Sequence, residues 1–176
     1  MTIEKTLLRL SSAWCLAFFL PAASAESQPL VSFSTAPVQV AFPVKNSILT
    51  FFDAWKDKKK HIEIHVLKPR KNEYDTAYIG TIEHNGSAPA IESVLLYNVD
   101  ADQDEELLVL VRWDTLDPAK KKHDAVYKTY VFDHQPANNG KGLLRLVDVE
   151  AKIASAGKQA PKDADAIRGL LKKLGY

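Results

Sequence analysis

Apolar and polar residues alternate with a period of two along several stretches of this chain, and the period changes to about 3.6 near its end. From His61 to Leu67 the alternation is clean. Ile62, Ile64 and Val66 face one way and His61, Glu63 and His65 the other, as in a strand with one buried face. Pro69 is expected to end that strand. Tyr78 to Glu83 reads as another strand, turned by Asn85-Gly86. Val126 to Phe132 alternates Val126, Lys128 and Tyr130 against Tyr127, Thr129 and Val131. Asn138-Asn139-Gly140 then turns the chain into an apolar run from Leu143 to Val149. Nearer the start, Leu30 to Phe33 and Val38 to Phe42 are β-like but punctuated by Pro29, Pro37 and Pro43. Proline donates no ladder hydrogen bond, which confines such runs to sheet edges.

The middle of the chain carries the strongest local signal. Ile91 to Tyr97 runs into an acidic loop holding Asn98, Asp100, Asp102, Asp104, Glu105 and Glu106, and Glu106 to Trp113 runs out of it. Two apolar runs around a polar turn predict a hairpin. Leu107 to Val111 is apolar at every position, which predicts a strand buried on both faces.

Helical spacing occurs twice. Ile167, Leu170, Leu171 and Leu174 fall on one face. Asp163 and Asp165 stand at the start of that segment, Lys172 and Lys173 at its end, and Gly175 as its stop. A short helix is also expected near Ile48 to Trp55, capped by Asn46 or Ser47. There Ile48, Phe51, Phe52 and Trp55 recur at helical intervals, although the same aromatic-rich segment also fits a strand running into the turn of Lys56 to Lys60. The fold class expected is therefore mainly β (α+β): an antiparallel sheet or sandwich with a C-terminal amphipathic helix packed on it.

The first 25 residues change the picture of where the chain resides. Lys5 and Arg9 precede an apolar run from Ala13 to Leu20, Pro21 breaks it, and Ala23-Ser24-Ala25 supplies small residues for cleavage. The run is shorter than the roughly 20 residues that span a bilayer. Residues 1–25 are read as a secretory signal peptide, and residues 26–176 as one secreted, periplasmic bacterial domain. Cleavage removes Cys15, the single cysteine, and with it any thiol or disulfide chemistry. It also removes Lys5, Arg9 and Glu4, leaving basic and acidic side chains equal in number. Such a balance gives no global attraction to nucleic acid or to an anionic membrane.

The acidic loop offers a ligand. In Asn98, Asp100 and Asp102 alternate residues supply oxygen donors, Asp104 adds a further carboxylate, Glu106 closes the set, and Leu107-Leu108-Val109 begins the next strand. A tight loop turns alternate side chains inward, and calcium takes six to eight oxygens. The segment from Asn98 to Val109 resembles the acidic loop of the FG-GAP (integrin-like) repeat family, in which a D-x-D-x-D-G-x-x-[DE]-L pattern precedes a strand and often holds calcium. Here Ala101 and Gln103 stand where the family carries glycine at one or both places, and Asn98 removes one charge. The resemblance implies calcium at Asn98, Asp100, Asp102 and Glu106, and Asp104 is counted with them as a further candidate ligand. The alternative is an acidic turn whose carboxylates are solvated or cap the loop's own amides.

His61, Glu63 and His65 share a strand face, but alternate residues stand about 6.5–7 Å apart. A zinc ion bound at about 2 Å would need further ligands such as His84, His123 or His134. The sequence contains no nucleophile motif, zinc-protease helix or phosphate-binding glycine loop. The expectation is a non-enzymatic periplasmic protein that recognises a protein partner, of the envelope-inhibitor or immunity type. The alternative is a calcium-stabilised glycan- or surface-binding β module, and the third reading a hydrolase whose acid pair cannot be located from sequence. No nucleic-acid partner is expected, and no membrane once the signal is cleaved.

Overall fold

The computed structural model describes residues 32–100, 102–117, 122–134, 143–157 and 159–176. The leader, Cys15 and the Asn138-Asn139-Gly140 turn lie outside them. Two four-stranded antiparallel sheets follow one another along the chain. The first comprises β1 (Phe33–Val40), β2 (Ser47–Lys56), β3 (Lys59–Arg70) and β4 (Glu73–Ile82). The second comprises β5 (Pro89–Tyr97), β6 (Glu106–Asp117), β7 (Lys122–Asp133) and the two-residue β8 (Leu144–Arg145). Both are meanders, each strand pairing with the next in sequence. Helices α1 (Val147–Ser155) and α2 (Ala164–Leu174) complete the chain. Among the described residues no helix is long and apolar enough to cross a membrane.

The alternation in sequence becomes three layers. Leu49, Phe51, Ile62, Ile64, Val66 and Ile82 of the first sheet pack against Leu107, Val109, Val111, Trp113, Tyr130 and Phe132 of the second. The other face of the second sheet, carrying Leu95, Leu108, Leu110 and Val131, packs on Val149 and Ile153 of α1 and on Ile167 and Leu171 of α2. Successive residues of β6 thus enter opposite cores, and Leu107 to Val111 are all fully buried. The run apolar at every position is the strand between the two cores, as the sequence predicts.

Helix α2 also follows its sequence. The Asp163 side chain accepts a hydrogen bond from the Ala166 amide at 2.8 Å, and Gly175 ends the helix in the left-handed region at φ 89°. Burial is uneven along the predicted stripe. Ile167 and Leu171 are fully buried, Leu170 is half-buried and Leu174 lies at the exposed margin. A buried clamp ties α1 to the second sheet: Glu150 receives Arg145 through two contacts of 2.6 Å and the Val131 amide at 3.2 Å.

Three expectations are corrected. The segment from Ile48 to Trp55 is strand β2 and not a helix, with continuous register from Ile48↔Leu67 to Lys56↔Lys59. Helical burial would have put Ile48, Phe52 and Trp55 inside, whereas the strand buries Leu49 and Phe51 and leaves Trp55 69 % exposed. Period two therefore accounts for these aromatics, whose shape suits a pleated surface. Second, the run from Leu143 to Val149 is extended only over Leu144–Arg145 before α1 begins. Val149 and Ile153, four residues apart, supply the buried helical face, which a window ending at Val149 does not reveal. Third, Pro69 does not end its strand. It pairs with Tyr74 near the β3–β4 turn, and β3 continues to Arg70. Of the proline-punctuated start, the described residues from Phe33 to Val40 form one edge strand, β1, with register shifts on both sides of Thr35, and Leu30 lies outside the described residues.

Candidate metal centre

The acidic loop joins β5 to β6, where Tyr97 pairs with Glu106. Val99, only 2 % exposed, plugs into the core beneath the helices and anchors the loop from within. The loop is held by its own side chains. The Asp102 amide donates to Asp100 Oδ1 at 2.9 Å, and the Asp104 amide to Asp102 Oδ1 at 3.1 Å. Asn98 Nδ2 donates to the Asp102 carbonyl at 2.9 Å. Aspartate side chains that bond the backbone two residues on impose the tight turn.

The turn and the ladder bring four carboxylates together. Asp100, Asp102, Glu106 and Asp133 each present an oxygen, and these oxygens all lie within 4.8 Å of one another. Asp133 comes from the last position of β7. The β6–β7 register pairs Trp113 with Val126 and Leu107 with Phe132, which carries residue 133 to the level of Glu106. Calcium bound at about 2.3–2.6 Å places opposite ligands roughly 4.6–5.2 Å apart, so the span of this group suits such an ion. Two of the carboxylates are deeply buried, Glu106 at 0 % and Asp133 at 1 % exposed, while Asp100 and Asp102 open to solvent.

Glu106 carries the chemistry of the site. Its Oε2 accepts the Val99 amide at 2.5 Å. Its Oε1 is buried and has no hydrogen-bond partner among the described residues. Removal from water pushes its carboxyl up to about 7, with Asp100 and Asp102 adding repulsion and the Val99 amide opposing the rise. A buried carboxylate oxygen without a donor is energetically unfavourable when ionised. A cation held between Glu106 and the other three would satisfy that oxygen and screen the repulsion at once. The group can therefore hold a metal ion, and its all-oxygen donor set suits a hard cation such as calcium.

Of the five residues expected from sequence, Asp100, Asp102 and Glu106 converge. Asp104 is exposed and contributes its backbone amide to the loop, outside the group of four. Asn98 braces the loop through its amide nitrogen. Asp133 was not expected. Its only signal in the sequence is its place directly after the strand ending at Phe132, which becomes informative once the hairpin register is known. The histidine face behaves as an ordinary polar face. His61 Nδ1 meets Glu83 Oε2 and His65 Nε2 meets Glu63 Oε2, both at 3.3 Å. Among the described residues no group of three metal-ligating side chains forms around them. Comparison with protein-family models, curated proteins and solved structures finds no match.

Proposed function

We propose that the protein is a calcium-stabilised, non-enzymatic binding module of the bacterial periplasm. The observation that carries this reading is the partnerless, buried Glu106 Oε1 within a group of four carboxylates. A bound ion would join the β5–β6 loop to the end of β7 and hold the rim of the second sheet in one arrangement. Asp100 also lines an adjoining cavity of about 390 Å³ bounded by Leu144 to Val149, whereas Glu106 does not reach it. That separation supports a structural ion over a catalytic acid. Millimolar calcium should raise the melting temperature, magnesium should do so less, and sodium chloride at matched ionic strength should not reproduce the effect. Equal melting in calcium and in matched salt would rule the reading out.

Recognition of a protein partner is favoured by a different feature. Phe33, Phe52, His65 and Tyr78 form a row across the outer face of the first sheet, with neighbouring ring centroids 5.0, 5.3 and 5.4 Å apart. The rings are inclined to one another by 34°, 74° and 67°. Such a surface offers apolar area without the coplanar faces on which sugars stack, which favours protein over glycan. Phe33→Ser with Tyr78→Ser should abolish retention of an envelope protein held by wild type, and undiminished retention would exclude this face.

A further inference from the structure

At the other end of β6 from the acidic group, one hairpin carries a local cluster of lysines. Trp113 Nε1 donates to the Glu83 carbonyl at 3.0 Å. The Glu83 carboxylate meets His61, and His61 pairs with Ala54 in the β2–β3 ladder. The β2–β3 hairpin therefore projects from the Trp113 end of the molecule. Its tip carries Trp55, Lys56, Lys58 and Lys59, all exposed. Trp55 is the most exposed large apolar side chain among the described residues, at 69 %. Lys60 pairs with Asp53 at 2.8 Å. Among the described residues no ion pair engages Lys56, Lys58 or Lys59.

The turn is built against its own backbone preference. Lys56 pairs with Lys59, leaving a two-residue turn in which Asp57 and Lys58 both have positive φ, 51° and 62°. Two-residue hairpins of this kind favour Asn-Gly or Asp-Gly, because both central residues occupy the left-handed region. Lysine at the second position is strained where glycine would be at ease. Lys58 nonetheless gives the tip a third unpaired positive charge beside the exposed indole, against the single negative charge of the exposed Asp57. Tryptophan has an apolar body and one polar N–H and favours the boundary between headgroups and acyl chains. Lysines beside it are drawn to anionic headgroups.

We propose that the β2–β3 hairpin tip docks on an anionic phospholipid bilayer, with Trp55 seated at the headgroup boundary and Lys56, Lys58 and Lys59 against lipid phosphates. The balanced charge of residues 26–176 supplies no long-range attraction, so contact depends on this local cluster. It does not depend on the metal reading, since the acidic group lies at the other end of β6.

The test is co-sedimentation of the full protein, as recovered from the cell, with vesicles of phosphatidylcholine alone or mixed equally with phosphatidylglycerol. It is run at low salt with EDTA, so that calcium cannot bridge protein and lipid. Binding should require phosphatidylglycerol and should shift tryptophan emission to shorter wavelength. Trp55→Ala should remove the shift. Lys56→Ala with Lys58→Ala and Lys59→Ala should weaken partitioning on the order of a hundredfold. Lys58→Gly relieves the turn, so it should keep or raise the melting temperature while weakening partitioning roughly fivefold. No binding to the mixed vesicles, equal binding to phosphatidylcholine alone, or partitioning unchanged in the lysine variants would overturn the proposal. So would a shift that survives in Trp55→Ala. Heparin binding as tight as vesicle binding and indifferent to Trp55→Ala would assign the tip to a soluble polyanion instead.

Discussion

The chemistry of the acidic group turns on Glu106. Its carboxyl is raised to about 7 by burial, whereas in the unfolded chain it titrates near 4.5. The folded, metal-free protein therefore holds a proton that the unfolded chain releases over this range. Below about 4.5 both states are protonated and Glu106 imposes no penalty. Between about 4.5 and 7 stability falls as pH rises, and above 7 the loss is complete and constant. At 1.36 kcal/mol per pH unit the whole loss is about 3 kcal/mol. Asp100, Asp102 and Asp133 face the same space, and the charges of Asp100 and Asp102 add to the rise at Glu106. Glu106→Gln should abolish the fall, leaving a metal-free variant about 1 kcal/mol more stable than wild type at pH 5 and about 3 kcal/mol more stable at pH 8. Chemical melts in EDTA at the two pH values decide this, and the same pH slope in both proteins would show that Glu106 does not titrate in this way.

Among the elements, β6 and α2 were the most legible in the sequence, for related reasons. β6 shows no alternation because each of its faces meets a core, Leu107, Val109 and Val111 on one side and Leu108 and Leu110 on the other. α2 carries a cap, a stop and a stripe that agree with one another. β2 was harder, since five large apolar residues in eight, Ile48, Leu49, Phe51, Phe52 and Trp55, fit two periods at once and only their burial separates them. α1 was hidden because its apolar residues overlap the extended run before it, and the Leu146 cap position has no side-chain capping bond to announce a helix. The depth of α2 makes a graded prediction. Leu171→Ala should cost about 2–5 kcal/mol through lost transfer energy and the cavity it leaves. Leu174→Ala, at the exposed margin, should cost well under half of that. Equal losses in denaturant melts would mean that the helix does not dock as described.

For the whole molecule, the two meanders place an acidic group at one end of β6 and a basic, tryptophan-bearing hairpin at the other. Three acidic residues of the group were legible as a loop pattern, because a local turn brings Asp100, Asp102 and Glu106 together. Asp133 was not, because its approach depends on hairpin register across a connection whose length alone does not fix pairing. We propose that this union of loop and ladder binds one calcium ion per chain. Calorimetric titration of the metal-free protein with calcium tests it directly. We expect one site, with a dissociation constant in the extracellular range of roughly 10⁻⁴–10⁻³ M. Below pH 7 affinity should weaken by up to about tenfold per pH unit, as Glu106 must release its proton to bind. Glu106→Gln and Asp133→Asn should each abolish the heat. No saturable heat in wild type, or a titration unaffected by Glu106→Gln, would contradict the account.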